Sequence, residues 1–370
     1  MNPSFDYITY GAEATSREVT QLLRHLLDRA FAPSQLPTAN RPLPSPLCIW
    51  GRHGIGKTEL VEEIARELGC RLAYLSPAQF EEMGDLVGMP QIAGEATRFV
   101  PPDWAPREDG PGILLIDDVN RADDRILRGL MPLLQRHELV SWKLPPRWQI
   151  VLTANPDGGD YSVTPLDDSL ITRMLHVTMS WDLPSWAAWA ERTGIDARGI
   201  QFVLTYPELV SGERTTPRTL VQFFRQLEGL GDLKRELGLV KMLAEASLDR
   251  ETAAAFLSFV QRQLHQLILP EEILQAPDFA AVENRLKKLY EQETQRVDLL
   301  SVICTRLIHY AQRPDIQLNS LHLENLERFL TIEWIPGDLR FAMAQELVQS
   351  DAAALRQLIG RPAIGKLLLQ

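Results

Sequence analysis

The chain lacks features that would point to several whole classes of protein. It contains three cysteines in 370 residues, Cys48, Cys70 and Cys304. Their wide spacing fits neither a disulfide framework nor a metal-binding pattern. No apolar run reaches the ~18 residues of a transmembrane helix, and the segment Met1–Asp6 lacks the basic-then-apolar pattern of a signal peptide. These absences predict a reduced, cytoplasmic protein without a membrane span.

A surplus of positive charge is missing as well. The 38 lysines and arginines stand against 49 aspartates and glutamates, which leaves a net charge of −11. Proteins that attract nucleic acid or anionic membranes by their bulk charge carry the opposite sign. The acidic balance therefore argues against a nucleic-acid partner. It leaves open one alternative, a local basic groove.

The stretch from residue 51 to residue 58 matches the G-x-x-x-x-G-K-T pattern of a phosphate-binding loop. The apolar run Leu47–Trp50 precedes it as a predicted buried strand, and apolar residues at helical spacing follow it. In this setting, backbone N–H groups and a helix N-terminus point at phosphate. The alternative is a strand-to-helix turn that binds nothing. The predicted nucleotide-binding residues of the loop are Gly51, Gly54, Gly56, Lys57 and Thr58, and the predicted cofactors are ATP and Mg²⁺.

Two carboxylates follow a second buried strand, Ile113–Ile116. We expect Asp117 to bind Mg²⁺ together with the hydroxyl of Thr58, and Asp118 to orient or deprotonate an attacking water. A strand that ends in two aspartates is a weak signal alone. The signal becomes strong when it follows a phosphate-binding loop by about 60 residues. The strand before the loop and the strand before Asp117 then end at the same edge of a parallel sheet.

Asn155 ends a further predicted core strand. Leu139–Lys143 and Trp148–Leu152 flank a pair of prolines, which is a hairpin pattern, and the second arm continues into Asn155. At that edge of the sheet, an amide can polarise the attacking water or sense the γ-phosphate. The alternative is an asparagine that caps a turn before Pro156.

In this order the motifs resemble those of the AAA+ ATPases, and within them the MoxR-like and dynein-related branch. The resemblance covers about residues 45–225. It implies a P-loop αβα sandwich around a parallel five-stranded sheet, followed by a small helical lid. Beyond residue 230, apolar residues at helical spacing predict an all-helical extension, which the resemblance does not reach. The matching segments are Gly51–Thr58, Leu114–Ala122, Thr153–Pro156, Leu166–Met174 and Thr216–Arg218.

The resemblance assigns two arginines. Arg173 matches the arginine finger that reaches the γ-phosphate bound by a neighbouring subunit, a contact worth on the order of 10³–10⁵ in rate. The alternative is a helix-end arginine that binds its own helix carbonyls. Arg218 matches the second sensor, which contacts the nucleotide from the lid. The alternative there is a surface arginine in the first turn of a helix.

The family pattern has glutamate where this chain has Asp118. Aspartate is one methylene shorter, so its carboxylate lies roughly 1.5 Å farther from the water. We therefore expect slow hydrolysis, with a nucleotide-gated scaffold of little turnover as an alternative.

The resemblance also implies the domains and partners. We assign 1–180 to the nucleotide-binding domain, 181–230 to the lid and 231–370 to the extension. The implied assembly is a homo-oligomer, a hexameric ring that remodels a protein client. A protein with a von Willebrand A domain is the implied partner, and a nucleic-acid-stimulated motor is the alternative.

Three local predictions concern the first half of the chain. Apolar spacing predicts a helix over residues 16–31 with Ser16 as its cap. Residues 84–112, rich in glycine and proline, are predicted to be loop. In the family, residues 84–104 and 139–149 correspond to an insertion and a hairpin. Trp142 would then be exposed, or packed against Trp148 across the hairpin.

Overall fold

A computed structural model describes residues 8–32, 42–156, 163–211, 214–261, 268–291, 297–312, 316–350 and 353–368. The chain forms two compact units, Met1–Asp182 and Leu183–Gln370. Among the described helices, none combines the length and apolar character that a membrane span requires.

The first unit alternates strands and helices. Its elements are β1 (Ala12–Ala14), α1 (Ser16–Phe31), β2 (Leu47–Trp50), α2 (Lys57–Leu68), β3 (Arg71–Leu75), α3 (Met83–Val87), β4 (Met89–Ala93), β5 (Ala96–Val100), β6 (Gly112–Ile116), α4 (Asp124–Arg136), β7 (Trp148–Ala154), α5 (Asp168–Ile171) and β8 (Leu175–Met179).

One parallel sheet runs through this unit in the order β1-β8-β2-β7-β6-β3. The predicted αβα fold with a parallel sheet is confirmed. The predicted number of five strands is wrong, because β1 pairs with β8 and adds a sixth. Its three residues, Ala-Glu-Ala, are too short and too exposed to carry an apolar pattern. Its strand conformation comes from the pairing with β8.

Both faces of the sheet are buried. In β6, Ile113 and Leu115 pack in a cluster with α1 and α2, whereas Leu114 and Ile116 pack in a second cluster with α4. Successive side chains of a strand point to opposite faces, so a strand covered on both sides is apolar without interruption. This is why short continuous apolar runs predicted β2, β6 and most of β7 correctly.

The predicted helix over 16–31 is confirmed, but its cap is Thr15 and not Ser16. The Thr15 hydroxyl accepts the backbone N–H of Glu18 at 3.4 Å, and the Glu18 carboxylate accepts the backbone N–H of Thr15 at 2.8 Å. This reciprocal pair is a capping box. It requires a glutamate three residues after the cap, and Thr15 meets that requirement.

The prediction of loop over residues 84–112 is wrong in part. The helix α3 precedes an antiparallel hairpin of β4 and β5, which turns at Gly94. Met89 and Ile92 on this hairpin are 70% and 84% exposed. Because neither face of the hairpin is buried, its sequence shows no alternation of apolar and polar residues.

The prediction of a hairpin over residues 139–152 is also wrong. β7 lies between the parallel strands β2 and β6, whereas residues 138–143 form a short loop closed by a bridge between Glu138 and Lys143. Trp142 is half-buried and packs edge-on against Trp104, with ring centroids 5.6 Å apart. It is therefore neither fully exposed nor stacked on Trp148.

The second unit is helical throughout its described residues. Its helices are α6 (Leu183–Arg192), α7 (Ala197–Thr205), α8 (Pro217–Leu227), α9 (Leu237–Ser247), α10 (Arg250–Gln261), α11 (Pro270–Leu274), α12 (Phe279–Tyr290), α13 (Val297–Ala311), α14 (Ser320–Leu330), α15 (Gly337–Val348), α16 (Ala353–Arg356) and α17 (Pro362–Leu368).

An aromatic cluster joins the first helices of this unit. Phe256 of α10 packs edge-on against Phe223 of α8 and Phe202 of α7, with ring centroids 4.9 Å and 5.0 Å apart. These contacts cross residue 230, where we divide lid from extension on sequence grounds. The three-part division of the chain stays a prediction.

Candidate nucleotide-binding site

The glycine loop connects β2 to α2, as its sequence predicts. Gly51 has φ of 152°, and a Cβ at this position would lie 2.6 Å from the carbonyl oxygen of Met179. Gly56 is the N-cap of α2 and has φ of 94°. Glycine adopts such conformations without a steric penalty. The loop can therefore curl tightly and leave the first N–H groups of α2 directed toward the loop, where they can bind an anion.

The ammonium group of Lys57 lies inside this loop. The residue is 6% exposed. Its Nζ donates to the carbonyl oxygens of Gly51 and Arg52 at 2.7 Å and 3.0 Å, and to Oδ1 of Asn155 at 3.3 Å. These contacts hold the positive charge between the loop and the end of β7, where a bound phosphate would meet it.

Asp117 accepts hydrogen bonds from hydroxyl groups of three different elements. Its Oδ1 accepts Oγ1 of Thr58 and Oγ1 of Thr153, each at 2.6 Å, and its Oδ2 accepts the hydroxyl of Tyr74 at 3.0 Å. Thr58 belongs to α2, Thr153 to β7 and Tyr74 to β3. One carboxylate thus connects the phosphate loop to both strands that flank its own.

Tyr74 is held as a hydrogen-bond donor. Partial burial of a side chain that is still 46% exposed, followed by the hydrogen bond to Asp117 and the negative charge of that carboxylate, raises the pKa of the Tyr74 phenol from 10.0 to about 12. All three effects disfavour the phenolate. Tyr74 therefore remains protonated at physiological pH and directs its proton at Asp117.

Asp118 lies beside Asn155 and has an unusual backbone. Its φ is 50°, a left-handed conformation that aspartate adopts more readily than most residues. Oδ1 accepts Nδ2 of Asn155 at 3.0 Å, and Oδ2 lies 3.3 Å from Nε of Arg121. The backbone N–H of Asp118 donates to Oγ1 of Thr153 at 2.8 Å. Both carboxylate oxygens therefore have partners within the chain.

The donor set fits Mg²⁺ and a triphosphate. Oγ1 of Thr58 and Oδ1 of Asp117 are hard oxygen ligands 2.6 Å apart. A single octahedral ion with bonds of about 2.0–2.1 Å can reach both oxygens. Within the described ranges, no group of three or more His, Cys, Asp or Glu side chains is arranged to hold a metal. A site with two protein ligands suits Mg²⁺, which takes its other ligands from phosphate and water.

Arg173 lies outside this network. It follows the short helix α5, where its Nη1 donates to the carbonyl oxygen of Ser169 and its Nε donates to Oε1 of Gln135 at 3.4 Å. The contact with Ser169 is the helix-end arrangement that we named as the alternative. The finger role concerns a second copy of the chain, so it stays a prediction.

Arg218 lies in the second unit, on the first turn of α8 behind the cap residue Thr216. Its side chain is exposed. This placement is compatible with both a second sensor and a surface arginine. Its contact with a nucleotide stays a prediction.

Sequence reasoning assigned no role to three residues of the network. Tyr74 and Thr153 contact Asp117, and Asn120 binds the backbone of Asn155. Thr153 had a signal, a hydroxyl near the end of an otherwise apolar strand. Asn120 also had a signal in the sequence, because it is a polar residue directly after the apolar Val119 in the segment Leu114–Ala122. Tyr74 had none, because its partner is 43 residues away.

Comparison with known proteins agrees with this geometry. Residues 46–174 match the model of the AAA domain (dynein-related subfamily). The chain is 37% identical over 109 residues to an ATP-dependent protease ATP-binding subunit-like protein of Rhodococcus erythropolis. This alignment covers 27% of this chain and 31% of that protein. It is 28% identical over 139 residues to midasin of Giardia intestinalis, which covers 36% of this chain and 3% of midasin.

Among solved structures, a single-site variant of RuvB from Thermotoga maritima aligns with a TM-score of 0.40 at 15% identity, over 77% of this chain and 87% of that chain. The chain spans less than a third of the length of either curated relative. The ordered motifs, the parallel sheet and the family match lead to one conclusion. Residues 46–174 form an AAA domain of the dynein-related subfamily.

Proposed function

We propose that the chain is a ring-forming ATPase of the MoxR-like type, which binds Mg·ATP at the glycine loop and remodels a protein client. The observation that carries the proposal is the contact network of Lys57, Thr58, Asp117, Asp118 and Asn155 at one edge of the sheet. Five side chains from three segments meet there, and each has the chemistry that its position in such a site requires.

The roles follow from the contacts. Lys57 and the N–H groups of α2 hold the triphosphate, and Thr58 and Asp117 hold Mg²⁺. Bound Mg²⁺ neutralises charge on the phosphate oxygens. Asp118 orients the attacking water and accepts its proton as the water oxygen bonds to the γ-phosphorus and the bond to ADP breaks. Asn155 bridges Lys57 and Asp118, so it aligns the water with the phosphate.

A protein client is the partner we favour. The net charge of −11 argues against nucleic acid, and one relative is described as an ATP-dependent protease ATP-binding subunit-like protein. The exposed Met89 and Ile92 of the β4–β5 hairpin offer apolar side chains to such a client. A hexameric ring, a von Willebrand A domain partner and a reduced cytoplasmic setting complete the proposal.

A nucleotide-gated scaffold is the second candidate. It is favoured by Asp118, whose two oxygens are engaged by Asn155 and Arg121. A carboxylate that is one methylene shorter than the usual glutamate, and whose two oxygens already have partners, reaches an attacking water less readily. The two candidates share the binding site and differ only in turnover.

One experiment tests both candidates. Mg·ATP affinity and phosphate release are measured for the wild type, Lys57→Ala and Asp118→Glu, with Lys143→Ala as the control for loss of an exposed lysine. Lys57→Ala should weaken ATP binding by about 10–100-fold or more, because a charge-assisted contact is lost. Asp118→Glu should raise turnover.

The outcomes separate the candidates. Wild-type ATP affinity in Lys57→Ala overturns the assignment of the site. Absence of phosphate release from the assembled wild type, together with intact binding, replaces the ATPase by the scaffold. A several-fold rise of turnover on addition of DNA or RNA would replace the protein client by nucleic acid.

A further inference from the structure

Asn120 is buried in the framework of the site, and the roles above do not use it. It is 0% exposed and lies in the turn Val119–Arg121 that follows Asp118. Its Nδ2 donates to the backbone carbonyl oxygen of Asn155 at 2.8 Å, and its Oδ1 accepts the backbone N–H of Asn155 at 3.0 Å. One side chain thus binds both backbone polar groups of Asn155.

Asn155 needs such a partner because it lies one residue beyond the sheet. β7 pairs with β2 as far as Trp50 opposite Ala154, and with β6 as far as Ile116 opposite Leu152. Beyond Ile116 the backbone pairing of β6 with β7 ends, and the N–H of Asp118 donates to the side-chain hydroxyl of Thr153. The Asn120 amide occupies the place of a neighbouring strand's backbone. It satisfies buried groups that would otherwise be costly to leave unpaired.

Asn120, which clamps the backbone of Asn155, is itself bonded to the surrounding chain. The backbone carbonyl oxygen of Asn120 accepts the N–H of Thr164 at 2.8 Å, and the hydroxyl of Thr164 donates to the carbonyl oxygen of Ala122 at 2.9 Å. Through these bonds, Asn120 fixes the end of β7 relative to the turn after β6.

We propose that Asn120 is a positioning residue that holds Asn155 between Lys57 and Asp118. The inference rests on the proposed function, since Asn155 matters to the rate only if ATP is hydrolysed at this site. The Asn155 side chain accepts from Lys57 at 3.3 Å and donates to Asp118 at 3.0 Å. A backbone shift of about 1 Å at Asn155 breaks this bridge, and a misplacement of that size can cost about 10²-fold in rate.

The test is a double-mutant cycle on the full chain with Mg·ATP. Asn120→Ala should lower kcat by about 10²-fold and leave the ATP dissociation constant close to that of the wild type. If Asn120 acts only through Asn155, the double variant Asn120→Ala/Asn155→Ala should be no slower than Asn155→Ala alone. A general structural defect would instead multiply the two losses.

A second readout needs no nucleotide. Hydrogen–deuterium exchange of the segment ending at Asn155 should lose protection in Asn120→Ala, because the N–H of Asn155 loses its acceptor. Asn120→Asp retains the shape and that acceptor, so its protection and kcat should lie between those of Asn120→Ala and wild type. Thr20→Val removes a side-chain hydrogen bond to a backbone carbonyl within α1, and as the control it should leave kcat and exchange at Asn155 unchanged.

The failures are distinguishable. If the wild type binds Mg·ATP but releases no phosphate, the proposed ATPase is overturned. The exchange experiment alone then tests whether Asn120 holds the backbone of Asn155. A wild type that turns over, combined with losses that multiply in the double variant, overturns only the positioning role of Asn120. Unchanged exchange at Asn155 in Asn120→Ala and Asn120→Asp overturns it as well.

Discussion

Asp117 is the residue at which the elements of the site meet. It accepts hydrogen bonds from Thr58, Thr153 and Tyr74, which belong to α2, β7 and β3. Hydroxyl donors on both oxygens of the carboxylate fix its orientation. The position of Asp117 is therefore determined before any metal ion is bound.

Tyr74 provides a pH prediction. Its folded-state pKa of about 12 exceeds the ordinary value of 10.0, so its contribution to stability is present below pH 10 and is lost as the pH rises through 12. In a tyrosinate absorbance titration, Tyr74→Phe should remove the group that titrates near 12. Asp117→Asn should lower the pKa of that group only in part, because burial is the larger cause.

The control for this titration is Tyr206→Phe, which changes a tyrosine of α7's end in the second unit. It should leave the transition near pH 12 in place. If Tyr74→Phe instead removes a group that titrates near the ordinary value, the hydrogen bond between Tyr74 and Asp117 does not exist in solution.

Helix packing in the second unit depends on one glycine. Gly199 of α7 faces Phe224 of α8, and a Cβ at this position would lie 2.3 Å from Cγ of the ring. Phe224 is fully buried and packs against Phe223, with ring centroids 5.6 Å apart. The ring therefore has little room to move away, since interiors are close-packed.

Gly199→Ala should lower the free energy of unfolding by about 1–3 kcal/mol through overpacking. Gly238→Ala in α9 is the matched control, because a Cβ there meets no atom within 4 Å. It should raise the free energy of unfolding by about 0.5–1 kcal/mol, since alanine loses less backbone entropy in a helix. Urea unfolding of both variants measures the difference. Equal effects from the two substitutions would contradict the close contact of α7 with α8.

Elements were predictable where their signal is local. The glycine loop, the buried runs of β2 and β6, and the helix with Glu18 in its first turn are all encoded by neighbouring residues. The β4–β5 hairpin and β1 were missed because their residues are exposed, so burial imposes no pattern on them. The hairpin predicted before Asn155 was wrong because turn residues at Pro145 and Pro146 suit a loop between a helix and a strand equally well.

At the scale of the assembly, the proposed ring requires Arg173 of one subunit to complete the site of the next. Such a head-to-tail contact closes into a ring. In the single chain, Arg173 contacts Ser169 and Gln135 and not the site. A finger that acts on a neighbour would have to exchange these contacts for the phosphate.

Mixed rings test this arrangement. Arg173→Ala should bind Mg·ATP normally but lower hydrolysis by about 10³-fold or more, and Lys57→Ala should bind ATP about 10–100-fold or more too weakly to hydrolyse it in its own site. A mixture of the two variants should recover part of the activity, because some interfaces combine an intact loop with an intact finger. Gln135→Ala, which removes a partner of Arg173, is the control and should retain hydrolysis. Absence of recovery in mixtures that co-assemble would contradict a finger in trans.

The helix α1, the buried strands β2 and β6, the phosphate loop and the two aspartates follow from the sequence alone, because each signal lies within a few neighbouring residues. The tertiary structure decided how those aspartates are held. Tyr74 and Thr153 lie 43 and 36 residues from Asp117, and Asn120 lies 35 residues from Asn155, and only the parallel sheet brings these pairs together. A hydrogen bond between strands leaves no periodic trace in either segment, so these contacts required the fold.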